Sequence, residues 1–327
     1  MSIAVQPPDR EAMPALRDNR TAAIEIKNLS CVFRRGEALH DVSLTIPVGS
    51  VFGLVGLNGA GKTTLIRHLI GALRPQRGTV RTLGEDPTLR PESVMQRVGY
   101  VAEEDALPRW MRVGELIHFM KAIYSRWDDA YCDELLKTFG LRREDKLAHL
   151  SKGGRARAGL LVAIAHRPDL LILDEPSYGL DPIARQDILE AIVRTVGEAG
   201  RTVLFSSHLL DEVARVCDSV GVICQGRLLE TISIDELPVR YSEIIGEGDI
   251  LPQLKGNCDG FFGWQLRGRE WSVAIDRAMY QDEAAIREMV GTNAFRELRP
   301  MSLERWMQAR VNSGNVAPSS PINGDFK

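Results

Sequence analysis

The sequence predicts an α/β fold in which a parallel sheet is covered by helices. Short apolar runs alternate with helical patterns along the chain, and three of the runs are typical of buried strands. These runs are Ser50–Val55, Leu170–Leu173 and Thr202–Ser206. Strands that are separated by helices favour a parallel sheet, because a parallel pair needs a long crossover connection.

A glycine-rich segment follows the first of these strands and leads into an apolar helix from Lys62 to about Ala72. It fits the pattern G-x-x-x-x-G-K-[ST], in which backbone N–H groups surround the β-phosphate and the helix presents its positive end to the anion. Lys62 reaches the β- and γ-phosphates, and the Thr63 hydroxyl is placed to bind Mg²⁺. The predicted phosphate contacts are Gly56, Asn58, Gly59, Ala60, Gly61, Lys62, Thr63 and Thr64. We therefore predict a site for a nucleoside triphosphate, with ATP and Mg²⁺ as the cofactors.

Two acids follow the second strand. Asp174 is placed to hold the metal ion, and Glu175 lies where water must attack the γ-phosphate. Taken alone, two acids at the end of a strand could simply cap it. Together with the phosphate loop they predict hydrolysis of the triphosphate, with Lys62 and Glu175 as catalytic residues.

The pattern changes twice along the chain. The stretch from about 104 to 166 is mostly helical, with one helix predicted to begin after Asp128 and to stop at Gly140. After about Thr231 a hairpin and two helical patterns predict a small α+β domain. The predicted organisation is a tail over 1–22, a nucleotide-binding domain over 23–231, an accessory domain over 232–311 and a tail over 312–327.

The composition excludes several classes. The net charge of -3 gives no basic field that would recruit nucleic acid by charge alone. The scattered cysteines form no zinc-binding spacing and are predicted to be reduced thiols; they are Cys31, Cys132, Cys217, Cys224 and Cys258. The N-terminus lacks the apolar segment of a secretory signal. No apolar run reaches the length of a membrane span, so a membrane function would require another chain.

A segment in the helical stretch resembles a known family. Leu150–Arg155 has the sequence L-S-K-G-G-R, which is similar to the L-S-G-G-Q signature of ATP-binding subunits of ABC transporters. The motifs follow that family's order from about Ile24 to Thr231. The resemblance implies a phosphate-loop NTPase with a RecA-like core and the antiparallel β and helical subdomains of an ABC cassette.

Further site residues follow from this resemblance. Phe33 would stack on adenine, His208 would contact the γ-phosphate as a catalytic residue, and Asp181 would lie at a dimer interface. Two cassettes would pack head to tail, so that the signature of one chain completes the other chain's site. The implied contacts from the signature are Ser151, Gly153 and Gly154.

The sequence departs from the family at two places. Glu103 stands where the family usually has a glutamine that binds the metal, and the neighbouring Glu104 is an alternative for this role. In the signature, Lys152 replaces the first glycine and Gly154 replaces the final glutamine. Ser151 and Gly153 are retained, so a working site is expected.

The resemblance also implies partners. A separate transmembrane permease subunit would hold the chain at the cytoplasmic face of the membrane, with Trp110 as a candidate contact. The second cassette would be another copy or a similar chain, and no nucleic acid is expected. The C-terminal helix around Pro300–Trp306 is similar to that of bacterial exporters. Its apolar face is predicted to pack in the accessory domain, with a regulatory or dimer-stabilising role as an addition. The alternatives are a soluble ABC ATPase, such as one in iron–sulfur cluster assembly, and a nucleotide sensor that does not hydrolyse ATP.

Overall fold

A computed structural model of the protein describes residues 22–34, 36–103, 106–248, 259–291 and 294–314. The strands in these ranges are β1 (Ala22–Phe33), β2 (Gly36–Pro47), β3 (Val51–Val55), β4 (Arg77–Thr82), β5 (Val98–Val101), β6 (Leu170–Asp174), β7 (Thr202–Ser207), β8 (Ser219–Cys224), β9 (Arg227–Ser233), β10 (Tyr241–Glu247), β11 (Phe261–Arg267), β12 (Glu270–Asp276) and β13 (Phe295–Pro300).

The α-helices in the same ranges are α1 (Lys62–Leu69), α2 (Pro91–Met95), α3 (Val113–Ile123), α4 (Asp129–Thr138), α5 (Lys152–Ile164), α6 (Pro182–Ala199), α7 (Leu210–Val216), α8 (Leu237–Arg240), α9 (Glu283–Val290) and α10 (Leu303–Gly314). A short 3-10 helix spans Leu147–His149. Among the described helices, none combines the length and the apolar character that crossing a membrane requires.

The central sheet is parallel, as the sequence predicts, except at one edge strand. Its strand order is β5-β6-β7-β3-β8-β9, and only β9 runs antiparallel to its neighbour. Strands β3, β6 and β7 are buried along their whole length, which explains their continuous apolar sequences. Since β7 lies between β6 and β3, the segments that follow these strands meet at one edge of the sheet.

A second sheet, with the order β2-β1-β4, is antiparallel. Its apolar side chains share a core with one face of the central sheet, where Ile24 and Leu44 join Leu54 of β3 and Leu65 of α1. Helix α1 ends at Leu69, earlier than the predicted end at about Ala72. The reason is Gly71, whose φ of 76° ends the helical backbone.

The helical stretch between β5 and β6 contains α3, α4 and α5. The prediction for α4 is confirmed at both ends. The Asp128 side chain accepts a hydrogen bond of 2.9 Å from the Tyr131 N–H and caps the helix, and Gly140 follows its end with a φ of 62°.

The third sheet has the order β11-β12-β10-β13 and is antiparallel. The predicted hairpin is confirmed as β11 and β12, and the two predicted helices are α9 and α10. The predicted boundaries need correction. Strand β9 runs to Ser233 and belongs to the central sheet, and structured elements already include Ala22 and extend to Gly314.

Helix α10 connects the third sheet with the central sheet. Trp306 and Ala309 are completely buried, and they belong to the same apolar core as Val220 and Val222 of β8. The prediction that this helix packs in the accessory domain is confirmed by its contacts with β11, but the helix also contacts β8 and β9 of the central sheet. Its apolar face is shared between the two sheets.

A buried histidine predicts how stability depends on pH. His166 is fully buried and stacks on Tyr124 with ring centroids 3.8 Å apart. Burial lowers the pKa of His166 from 6.5 to about 4, so that the unfolded chain binds this proton more readily than the folded chain. Lowering the pH from about 6.5 to about 4 is expected to lower the free energy of unfolding by about 3 kcal/mol in total.

Urea denaturation at several pH values measures this effect. The variant His166→Phe keeps an aromatic ring but binds no proton, so its stability should fall less over the same interval. Identical pH profiles for the two proteins would contradict the assignment of this acid sensitivity to His166.

Candidate active site

A cavity of about 170 Å³ lies where the segments after β3, β5 and β6 meet. Its lining contains most of the residues predicted to contact phosphate, together with two predicted acids: Ala38, Asn58, Gly59, Ala60, Gly61, Lys62, Thr63, Thr64, Glu103 and Glu175. The sequence prediction of the phosphate loop did not include Ala38. It lies on β2, which reaches the loop through the tertiary fold.

The phosphate loop depends on a glycine at the start of α1. Gly61 caps the helix with a φ of 112°, in the left-handed region that only glycine adopts without strain. A Cβ atom there would also lie 2.9 Å from the Ala38 carbonyl oxygen. The helix consequently begins at Lys62, and its unpaired N–H groups point toward the cavity.

Lys62, Glu175 and His208 form a connected group. The Lys62 Nζ atom donates to the Gly56 carbonyl oxygen at 2.7 Å and lies 3.0 Å from Oε1 of Glu175. The other carboxylate oxygen of Glu175, Oε2, lies 2.7 Å from Nδ1 of His208. The structure therefore brings together the three residues predicted to be catalytic.

The backbone at Glu175 is strained, and a hydrogen bond and burial hold the residue in place. Its φ of 48° lies in the left-handed region, which is costly for a residue with a Cβ atom. The Glu175 N–H donates to the Ser206 hydroxyl at 2.9 Å, and the side chain is 5% exposed. Such strain persists only where surrounding contacts fix it, and here it aims the carboxylate at the phosphate loop.

Asp174 has the properties of a metal ligand. It is completely buried, and Oδ1 accepts a hydrogen bond of 2.8 Å from the Ser206 hydroxyl. Its Oδ2 atom is buried without a hydrogen-bond partner among the described residues. Burial raises the pKa of Asp174, and the nearby hydroxyls of Ser206 and Thr63 only partly offset this effect. An unpaired carboxylate oxygen near the hydroxyl-bearing loop fits Mg²⁺, which prefers oxygen ligands.

The sequence interpretation missed Ser206. This residue donates to Asp174 and accepts from the Glu175 N–H, and it thus fixes both acids. Its signal in the sequence is a polar residue at the carboxyl end of an otherwise apolar strand. That signal identifies a polar site, but only the pairing of β6 with β7 shows which residues it contacts.

The signature residues lie away from this chain's phosphate cavity. Ser151 caps α5, and its hydroxyl accepts from the Gly154 N–H at 3.1 Å. Gly153 packs so closely on α6 that a Cβ atom would lie 2.6 Å from the Ala184 Cβ atom. Asp181 caps α6 with two bonds of 3.0 Å, so the signature and the Asp181 loop adjoin each other.

The remaining predicted residues have varied positions. Glu103 is exposed and lines the phosphate cavity, whereas Glu104 lies outside the described residues. Phe33 ends β1 with 45% of its surface exposed, and it is not among the residues that line the phosphate cavity. Cys258 also lies outside the described residues, and the other four cysteines form no disulfide bond within the described ranges.

Comparisons with known proteins agree with this geometry. The profile of the ABC transporter family matches residues 39–178. An uncharacterized ABC transporter ATP-binding protein of Nostoc sp. is 31% identical over 322 residues, which span 91% of this chain and 92% of the relative. The daunorubicin/doxorubicin resistance ATP-binding protein DrrA of Streptomyces peucetius is 37% identical over 223 residues, or 66% of this chain and 67% of the relative.

A solved structure of an ATP-binding subunit of an ABC transporter shares the fold. It aligns with a TM-score of 0.61 at 30% identity, over 66% of this chain and 92% of that chain. The phosphate loop, the two acids after β6 and the histidine after β7 thus occur in the fold of an ABC cassette. The chain belongs to the family of ABC transporter ATP-binding proteins, which bind and hydrolyse ATP to power transport.

Proposed function

We propose that the chain hydrolyses ATP with Mg²⁺ to drive export through a separate transmembrane permease. The observation that carries the catalytic part is the connected group of Lys62, Glu175 and His208 at the phosphate loop. Export is supported by the relative DrrA, whose name assigns it to drug resistance.

In the proposed mechanism, each residue acts through a contact that the structure already prepares. Lys62 moves its ammonium from Glu175 to the β- and γ-phosphates, where it stabilises negative charge. Glu175 then orients the attacking water and accepts its proton, and His208 holds the carboxylate from the opposite side. Asp174, Thr63 and Glu103 would hold Mg²⁺, which supplies further stabilisation of charge on the phosphate oxygens.

A second cassette completes the proposed site. The signature residues Ser151, Gly153 and Gly154 do not line this chain's own cavity, although Ser151 is exposed at the start of α5. Ser151 is therefore available to the triphosphate of a partner, and the buried Gly153 and Gly154 form the helix start beside it. We propose a head-to-tail dimer with another copy or a similar chain, in which Asp181 lies at the interface and Phe33 stacks on adenine.

The proposed permease contact is on the helical stretch. Trp110 is 71% exposed just before α3, and it lies close in sequence to Glu103 of the phosphate cavity. A large aromatic side chain that is left exposed is a typical anchor of protein interfaces. Binding there would place the chain at the cytoplasmic face of the membrane and connect the permease with the nucleotide site.

Purification from a detergent extract tests this proposal. The tagged chain is expected to recover an integral membrane protein, and Trp110→Ala should reduce its recovery at least about tenfold, as expected for an interface hot spot. Leu89→Ala is the matched control, because Leu89 is 77% exposed but lies outside the helical stretch. Recovery of a purely soluble complex would contradict the transport function and favour a soluble assembly ATPase.

A further inference from the structure

One aromatic side chain lies between the signature helix and the catalytic histidine of the same chain. The Nζ atom of Lys152, at the start of α5, lies 5.0 Å from the centre of the Tyr178 ring. The same ring meets His208 edge to face, with centroids 5.7 Å apart and planes inclined by 67°. The Tyr178 ring is therefore in contact with both Lys152 and His208.

The geometry of both contacts favours attraction between the Tyr178 ring and its neighbour. A cation within about 6 Å of an aromatic centroid is drawn to the electrons of the ring, and aromatic rings favour edge-to-face pairs. Lys152 also packs closely on the loop, because a Cβ atom on Gly179 would lie 2.5 Å from its Nζ atom. The bare backbone at Gly179 thus makes room for the ammonium beside Tyr178.

The loop that carries Tyr178 is anchored at Ser177 and at the backbone of Tyr178 itself. The Tyr178 N–H donates to the Glu175 carbonyl oxygen at 3.0 Å. The preceding Ser177 donates its hydroxyl to the buried carboxylate of Glu212 at 2.6 Å. Since the backbone is fixed, a change at Lys152 reaches His208 through the position of the Tyr178 ring.

We propose that Tyr178 is a positioning residue that couples Lys152 of the signature helix to His208, and through His208 to Glu175. An anion bound at the signature competes with the ring for the Lys152 ammonium. Loss of that cation releases the ring and changes the support of His208, which lies 2.7 Å from the Glu175 carboxylate. This inference rests on the proposed catalytic roles of Glu175 and His208.

Steady-state hydrolysis by the purified full-length chain tests the coupling. Tyr178→Ala is expected to lower kcat for Mg-ATP about three- to tenfold, as loss of such ring contacts implies, with KM for ATP changed less than about twofold. Tyr178→Phe should restore kcat, because both contacts use the ring and not the hydroxyl. Tyr178 is 48% exposed, so its truncation leaves the buried core intact.

A double-mutant cycle tests whether Lys152 affects hydrolysis through Tyr178. Lys152→Met keeps the aliphatic stem but removes the cation, and it should lower kcat in the wild-type background and not in the Tyr178→Ala background. Lys137→Met, on an exposed face of α4, is the matched control and should leave kcat unchanged.

Three results would overturn the inference: an unchanged kcat in Tyr178→Ala, a Tyr178→Phe variant as slow as Tyr178→Ala, or additive effects in the cycle. Each leaves the proposed function in place. That function fails separately, if Glu175→Gln turns over ATP at the wild-type rate.

Discussion

Glu175→Gln is expected to lower the rate of ATP hydrolysis about 10²- to 10⁴-fold, the range typical of losing a general base. The amide has nearly the shape of the carboxylate but accepts no proton from water. ATP binding should persist. The substitution removes the negative charge that pairs with Lys62 at 3.0 Å, so the Lys62 ammonium remains available to the phosphates. Phosphate release under single-turnover conditions measures the chemical step, and equilibrium binding of ATP measures the affinity.

Glu190→Gln is the matched control for this experiment. Glu190 is an exposed acid on α6, and its replacement removes the same charge away from the phosphate cavity. Its turnover should equal that of the wild-type chain. Undiminished hydrolysis by Glu175→Gln would contradict the assigned role, and loss of ATP binding would show that Glu175 mainly supports the fold of the site.

Trp306→Ala is expected to lower the free energy of unfolding by about 3–5 kcal/mol, as for other large-to-small substitutions of buried aromatic residues. Trp306 is completely buried in a core that α10 shares with β8 of the central sheet. Because the helix contacts both sheets, truncation weakens the attachment of the third sheet as well as local packing. Chemical denaturation followed by circular dichroism measures the loss.

Trp110→Ala is the control for stability. Trp110 is 71% exposed, so its truncation should change the free energy of unfolding by less than about 1 kcal/mol. Equal effects of the two substitutions would contradict the packing of α10. A separate early transition in Trp306→Ala would show instead that the third sheet unfolds independently of the cassette.

The sequence indicates local features best where they depend on neighbours along the chain. The phosphate loop, the two acids after β6 and the N-cap of α4 are local patterns, and each has a physical reason that its residue types reveal. The pairing of Lys62 with Glu175 is different. It depends on β7 lying between β6 and β3, an order that the spacing of the motifs alone does not contain.

The antiparallel sheet was harder to predict from the residues because bulges interrupt its alternation. Register shifts between Ile26 and Leu29 place Asn28 at a φ of 52°. The Asn28 amide donates to the Asp41 carboxylate at 2.8 Å across the hairpin. The polar residues of these bulges break the period of two that identifies a strand, so only the family resemblance indicated this sheet.

The packing of α10 shows a further limit. The sequence shows that Leu303, Trp306 and Met307 share an apolar face, but a helical pattern does not specify what that face contacts. The structure supplies this information, since the core around Trp306 includes Val220 of the central sheet. Tertiary partners of an amphipathic helix follow from topology and not from its own sequence.

Phosphate release from Mg-ATP by the purified full-length chain tests the central claim most directly, since it requires Lys62, Asp174 and Glu175 to act as one site. The structure predicts steady turnover that depends on Mg²⁺ and that falls about 10²- to 10⁴-fold in Glu175→Gln while ATP remains bound. Binding of ATP without any turnover by the purified wild-type chain, or undiminished turnover in Glu175→Gln, would contradict it.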